Sequence, residues 1–343
     1  MFKNKINLIS DTVTLPSKGM LDAMINAKLG DDVFREDPTV IELEEKLSGM
    51  FGMEAGLFCP SGTMCNQIAI KGHTQPLDEM LCDINSHVYQ FEVGGYAFLS
   101  QIAVNAIQGN QGILTAQHLQ DNIKAKQDWL PRTKLVVLEN SGNRSGGNCY
   151  NLDQLKEISE FCRNNNLSLH LDGARIFNAL IAKNLTPIEI GPLFDSISIC
   201  LSKGLGTPAG SVLIGKKDWI NDCRRIRKVL GGGMRQAGIL AAAGLYALDN
   251  NIDRLREDHS KAQRIEGILK NAEYVESIFP VETNIIIFQL KENVSPQNFV
   301  DTLKTHGINS SAFGKRSVRF VTHMDITDEM MNEVENTLSS FKM

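Results

Sequence analysis

The sequence predicts an α/β fold: a mainly parallel central sheet with helices on both faces, then a smaller α+β C-terminal domain. Three observations carry this. Short aliphatic runs, such as Leu135-Val136-Val137-Leu138, Leu167-Ser168-Leu169-His170-Leu171 and Ser196-Ile197-Ser198-Ile199, read as buried strands. A helix-period stretch over 152–165 separates the first two, and strand–helix–strand order implies parallel pairing through right-handed crossovers. Near Asn250 the alternation loosens, and helical stretches mix with two isolated strands. The expected boundaries are an N-terminal segment 1–30 associated with the small domain, a large domain 31–249 and a small domain 250–343.

Bulk properties narrow the class. At 343 residues the chain can bury a large core in about two domains. Lys+Arg 35 against Asp+Glu 40 gives a net charge of -5, which argues against a nucleic-acid surface. The cysteine count is 7, an odd number without CxxC spacing. That pattern argues against a disulfide scaffold or zinc site and for a reducing, cytoplasmic setting. The first residues, Met1-Phe2-Lys3-Asn4-Lys5, precede no apolar h-region, and no run is long enough to span a bilayer. No signal peptide and no membrane span are expected.

In chain order, 6–16 reads as extended or irregular, with Ser10, Asp11 and Thr12 as a cap or Asx turn. A short amphipathic helix over 17–29 places Met20, Ala23, Met24 and Ala27 on one face. The acidic stretch 30–38 is either a cation site or, more commonly, a solvated loop. A helix follows from Thr39, with Val40, Leu43, Leu47, Met50 and Phe51 at helical spacing. Leu57-Phe58-Cys59 leads into Pro60-Ser61-Gly62-Thr63 and a helix over 64–71. A Ser-Gly-Thr at a helix start either caps it or offers amides and hydroxyls to a phosphate. Leu81-Cys82-Asp83-Ile84 reads as a strand, and His87 follows its C-terminal end, where open α/β sheets gather ligand-binding groups.

Lys134-Leu135-Val136-Val137-Leu138 ends in a polar, glycine-rich loop from Glu139 to Gly147. Leu167 to Leu171 delivers Asp172-Gly173-Ala174-Arg175, and Ser196 to Leu201 delivers Ser202-Lys203-Gly204. Asp172 and Lys203 therefore sit at strand ends 31 positions apart, facing one crevice. A lysine just past a buried strand is poorly placed as a surface charge; desolvation there favours the neutral, nucleophilic amine. Ser211-Val212-Leu213-Ile214 reads as a strand running back from the site. The basic run Arg224, Arg225, Arg227, Lys228 is a solvated face or an anion contact. An Ala-rich helix over 236–249 closes the large domain. Helices over 251–271, 296–305 and 327–340, with strands over 283–290 and 317–322, form the small one.

One ligand accounts for a nucleophilic lysine, an aspartate at a neighbouring strand end, a Ser-Gly-Thr cup and a nearby histidine. It is pyridoxal phosphate: amine to aldehyde, carboxylate to pyridine nitrogen, helix start to phosphate, imidazole against the ring.

The chain also resembles the threonine aldolase family, within the fold-type-I pyridoxal-phosphate enzymes. The resemblance runs through Ser10-Asp11-Thr12, Gly30-Asp31-Asp32-Val33, Glu36-Asp37-Pro38-Thr39 and Pro60-Ser61-Gly62-Thr63-Met64. It continues through His170-Leu171-Asp172-Gly173-Ala174-Arg175, Ser202-Lys203-Gly204-Leu205-Gly206 and Leu230-Gly231-Gly232-Gly233-Met234-Arg235-Gln236. It implies that Lys203 is the Schiff-base lysine, that Asp172 partners the pyridine nitrogen and that His87 stacks on the ring. It implies that Gly62, Thr63 and, from a neighbouring subunit, Arg235 hold the phosphate. Arg175 is implied at the cofactor and, with Ser10 and Arg319, in a clamp on the substrate carboxylate. A homotetramer of paired dimers, with active sites at subunit interfaces, follows from the same resemblance. No metal is implied.

The expected activity is retro-aldol cleavage of L-threonine, L-allo-threonine and related β-hydroxy-α-amino acids to glycine and an aldehyde, with His87 as base. Two departures stand out. Gly142 occupies the place of a histidine common in the family, and Phe34-Arg35 stands where Tyr-Gly is common. The first keeps open another reaction on the same cofactor: β-elimination, racemisation or transamination. A fold-related protein without activity is the remaining alternative.

Overall fold

The computed structural model describes residues 6–341; the reading of Met1 to Lys5 lies outside them. A seven-stranded sheet has the order Ala55–Cys59, Ser211–Gly215, Ser196–Cys200, Ser168–Gly173, Arg132–Glu139, Asp78–Asp83, Ala103–Ile107. Ser211–Gly215 pairs antiparallel on both sides, and the other pairings are parallel. The mainly parallel sheet is thus present, and the Ser211 strand does run back from the site.

Side-chain alternation divides the sheet between two layers. Phe58, Val136, Leu138, Leu169, Leu171, Ile197 and Ile199 enter the main core. Leu57, Cys59 and Leu213, and also Met80, Cys82, Leu135 and Val137, enter separate clusters on the opposite face. At the centre of that opposite face the alternating partners are polar: His170 lies beside Ser196 and Asp172 beside Ser198. The Gly62–His73 helix covers them. Ser61 caps it, its Oγ accepting from the Met64 amide at 3.2 Å. The cap therefore begins the helix two residues before the apolar periodicity does.

The C-terminal part holds an antiparallel sheet of order Ser311–Ala312, Ser317–Val321, Ile285–Leu290, Val275–Ile278. Its core includes Phe288, Phe299, Phe320, Ile265 and Leu338. The described part of the N-terminal segment, residues 6–30, contributes to both cores. Ile6–Asn7 pairs with Ile308–Asn309, and Ile6 and Leu8 join the small core. The Lys18–Ile25 helix instead sends Met20 into the main core.

Sequence reasoning missed the Ala103–Ile107 strand. It lies at the sheet edge, and only Ile107 in it is buried, so it lacks an apolar run. The acidic and basic stretches also differ from expectation. Asp37 is buried; it caps the Pro38–Met50 helix and accepts from the Gly30 and Gly238 amides at 3.3 and 2.9 Å. Asp32 pairs with Arg227 at 2.8 Å, and Glu44 with Arg224 at 2.5 Å, all four largely buried. These charges pair in the interior, with Asp32 Oδ2 and the Nε atoms of Arg224 and Arg227 lacking a hydrogen bond among the described residues. Arg225 and Lys228 of the basic run remain exposed.

Candidate active site

A cavity of about 170 Å³ opens where the strand ends meet the start of the Gly62–His73 helix. Gly62, Thr63, His87, Asp172 and Lys203 all line it, so the structure brings together five of the residues singled out in the sequence. Each arrives for a local reason. Asp172 and Lys203 follow buried parallel strands. The Gly62 and Thr63 amides belong to the first turn, where backbone donors have no acceptor within the helix. His87 opens the short His87–Gln90 helix, its amide held by Glu139 Oε2 at 2.8 Å.

Sequence reasoning did not find the residue that ties these groups together. Asn66 Nδ2 donates to Asp172 Oδ2 and to Glu92 Oε1, both at 2.9 Å. Its Oδ1 accepts from Ser198 Oγ at 2.6 Å and meets His170 Nε2 at 3.2 Å. An amide oxygen only accepts, so His170 carries its proton on Nε2. His170 Nδ1 then accepts from Ser196 Oγ at 2.8 Å, and Ser196 Oγ meets His73 Nε2 at 2.8 Å. Burial holds the His170 pKa down to about 3 and that of His73 to about 4, so both rings are neutral. This chain fixes the orientation of the Asn66 amide, and with it the carboxylates of Asp172 and Glu92.

His87 Nδ1 lies 3.0 Å from Glu92 Oε1. Burial disfavours the imidazolium, but the Glu92 hydrogen bond and the charges of Asp172, Glu92 and Glu139 outweigh it. The His87 pKa is raised. Glu139 is fully buried, and burial followed by the Asp172 charge pushes its pKa up. His87, Glu92 and Asp172 are the one trio of metal-ligand type gathered closely among the described residues. Asn66 already bridges its two carboxylates.

The proposed clamp residues meet at a second node. Arg175 grips Asp11 bidentately, Nε to Oδ2 at 2.7 Å and Nη2 to Oδ1 at 2.6 Å. Asn284 Nδ2 adds a bond to Asp11 Oδ2 at 3.1 Å. Asp11 occupies the Nε–Nη2 edge of Arg175, while Nη1 lies 3.5 Å from Asn143 Oδ1. Arg319 differs. Nη1 donates to Asn143 Oδ1 at 2.9 Å and Nη2 to the Ile9 carbonyl at 3.0 Å, while buried Nε has no partner among the described residues. Ser10 Oγ accepts from the Thr12 amide at 3.2 Å, beside that Ile9 carbonyl.

Arg235 lies outside the cavity of its own chain. It pairs with Asp31 at 2.9 Å, more than half exposed, over the exposed Phe34 ring. At Gly142, an added side chain would collide with Ser145 Oγ. Ser145 thus fills the space that a residue-142 side chain would need.

The donor set has a definite chemical meaning. A primary amine, a buried carboxylate, a flat imidazole and a free helix N-terminus surround one cavity. They suit a flat aldehyde that carries a ring nitrogen and a phosphate.

Comparison with known proteins agrees. Residues 7–293 match the beta-eliminating lyase family. The chain is 43% identical over 331 residues to a low specificity L-threonine aldolase of Escherichia coli, covering 96% of this chain and 97% of that one. It is 35% identical over 349 residues to low-specificity L-threonine aldolase 1 of Arabidopsis thaliana, covering 100% and 97%. The fold matches that of a threonine aldolase from Leishmania major with a TM-score of 0.85 at 19% identity, over 97% and 98% of the two chains. With the fold, the cavity and these relatives in agreement, the chain is a lyase that belongs to the beta-eliminating lyase family, among relatives named low-specificity L-threonine aldolases.

Proposed function

We propose that this protein cleaves L-threonine, L-allo-threonine and related β-hydroxy-α-amino acids to glycine and an aldehyde, using pyridoxal phosphate. The observation that carries the reading is the meeting of Lys203, Asp172, His87 and the Gly62–Thr63 helix start around one cavity. Lys203 would hold the cofactor aldehyde, Asp172 the pyridine nitrogen, His87 the ring face, and Gly62 and Thr63 the phosphate. When bound, the cofactor supplies a sink for the electron pair left on Cα as the Cα–Cβ bond breaks.

The chain's own residues supply the rest. Arg319, its Nε unpaired, and Ser10 receive the substrate carboxylate. Arg175 acts through Asp11, which fixes the N-terminal segment beside them. His87 Nδ1 is engaged by Glu92, which leaves Nε2 to take the β-hydroxyl proton, directly or through water. We further propose a cytoplasmic homotetramer of paired dimers in which Arg235 reaches the phosphate site of a neighbouring subunit. The exposed Arg235–Phe34 surface, outside the cavity of its own chain, supports this.

The test is product analysis of the cofactor-loaded protein with L-threonine, L-allo-threonine, D-threonine and phenylserine. Equal amounts of glycine and aldehyde are expected from the L-isomers. A 2-oxo acid (2-oxobutyrate from the threonines, phenylpyruvate from phenylserine) with ammonia and no glycine would instead assign β-elimination.

The pH dependence carries a second prediction. The base form of His87 accumulates as pH rises through its raised pKa, so the acid limb of kcat/KM lies above the ordinary imidazole value. In Glu92→Gln the favourable charge is lost, and the limb moves to lower pH. A limb that stays in place in the variant would show that His87 is not the titrating base.

A further inference from the structure

The proposed function leaves one cation unexplained, in a small cavity beside the site. Arg144 has its guanidinium carbon 4.7 Å from the Phe313 ring centre and 5.5 Å from that of Phe91. Arg319 lies over the same Phe313 ring, also at 4.7 Å. Phe91 in turn leans on His87, their ring centres 5.7 Å apart. Arg144 therefore spans the gap between the residue assigned to the α-carboxylate and the residue assigned to the β-hydroxyl.

Asp83 and Glu139 line the same small cavity as Arg144, but neither forms an ion pair with it. Arg175 has Asp11, but among the described residues neither Arg144 nor Arg319 has a carboxylate within ion-pair reach. Burial, then the charges of Arg175 and Arg144, hold the Arg319 pKa down to about 10. Burial is the main cause, Asp11 opposes it, and at neutral pH the group is still protonated. A substrate α-carboxylate on Arg319 neutralises one of the two. Two aromatic rings within cation–π distance of Arg144 restrict its guanidinium, which lowers the entropy cost of a bond to a ligand.

We propose that Arg144 is a specificity-determining residue that binds an anionic group on the substrate side chain. The favoured class is then β-hydroxy-α-amino acids whose side chain ends in a carboxylate. This rests on the retro-aldol reading above. For 3-hydroxyaspartate the balance is complete: the β-hydroxyl proton leaves, Cα–Cβ breaks, and Cβ becomes the aldehyde carbon of glyoxylate. Cα gains a proton to give glycine, and no oxidant or reductant is needed.

The experiment compares kcat/KM for 3-hydroxyaspartate and L-threonine in the holoenzyme and in Arg144→Gln and Arg144→Lys. It also measures binding of L-aspartate against L-alanine, neither of which carries a β-hydroxyl, by the change in the cofactor's visible absorbance. In R144Q the ratio of kcat/KM values should fall about 10- to 100-fold against 3-hydroxyaspartate, the loss of one charge-assisted contact. R144K should recover part of it, and aspartate binding should weaken by a similar factor relative to alanine. Equal losses for both substrates in R144Q would overturn the proposal and leave Arg144 a structural support. So would a holoenzyme that cleaves threonine but not 3-hydroxyaspartate. If neither is cleaved, the retro-aldol reading fails, and a loss of aspartate binding confined to R144Q still supports the anionic subsite.

Discussion

Replacing Lys203 by alanine should reduce glycine release from L-threonine by about 10⁴-fold or more, the scale of losing a covalent catalytic group. Lys203 is the sole amine among the residues lining the cavity, so no neighbour can take over its bond to an aldehyde. The sharper variant is Lys203→Arg. It keeps a cation of similar length, and so preserves the electrostatics felt by Asp11, whose ionisation Lys203 supports. It cannot act as a nucleophile, because the guanidinium stays protonated. Both variants should fold, and both should lose the bound cofactor's characteristic visible band. An arginine variant with more than about 1% of parental turnover would show that the amine serves only as a charge.

The second large effect is on stability, at Asp11. This carboxylate is fully buried and holds Arg175 with two bonds. Replacing it by alanine strands a guanidinium in the interior, at a cost of about 3–5 kcal/mol. The double variant with Arg175→Met should be more stable than Asp11→Ala alone, because the orphaned charge is gone. Denaturant unfolding free energies of the parent, the two single variants and the double variant would test this. Losses that simply add in the double variant would show that the pair is not coupled.

The pH dependence follows from the same geometry. Burial raises the Asp11 pKa, but the charge and hydrogen bonds of Arg175, with help from Lys203 and Asn284, bring it down to about 2. A depressed carboxylate stabilises the fold above its unfolded pKa near 4 and loses that contribution as pH falls through about 2. The lowering corresponds to on the order of 2 kcal/mol. In Asp11→Asn, unfolding free energy should vary less with pH over this interval than in the parent.

The parts of the site that follow a single strand or helix start were readable from the sequence. Asp172 and Lys203 each terminate an apolar alternation, and Ser61-Gly62-Thr63 opens a helix. The spacing of such residues is local, so pattern alone places them. Asn66 was not readable, because its partners Glu92, His170, Asp172 and Ser198 come from other elements. One signal did exist: in Leu169-His170-Leu171-Asp172 and Ser196-Ile197-Ser198, the residues that should enter one apolar layer are polar on alternate positions. Two such strands side by side require a polar partner on the covering helix. The Asp11 partner of Arg175 was not readable for the same reason. The spacing of Arg175 indicates an anion partner, but nothing local says that the anion is Asp11, 164 residues earlier. The buried Asp32–Arg227 and Glu44–Arg224 pairs hid in stretches whose composition alone looks solvated.

The stitching of the two chain ends has a consequence for biosynthesis. Ile6 and Asn7 pair with Ile308 and Asn309, the Val321 amide bonds to the Leu8 carbonyl at 2.9 Å, and Arg319 bonds to the Ile9 carbonyl. The Ile6–Asn7 segment of the nascent chain therefore waits without its strand partner until Asn309 has left the ribosome. Lys203, Asp172 and the helix start at Gly62 are all translated long before that moment. A growing chain can thus make the residues that line its cavity early, yet Arg319 reaches the Ile9 carbonyl only 310 residues after that carbonyl is made.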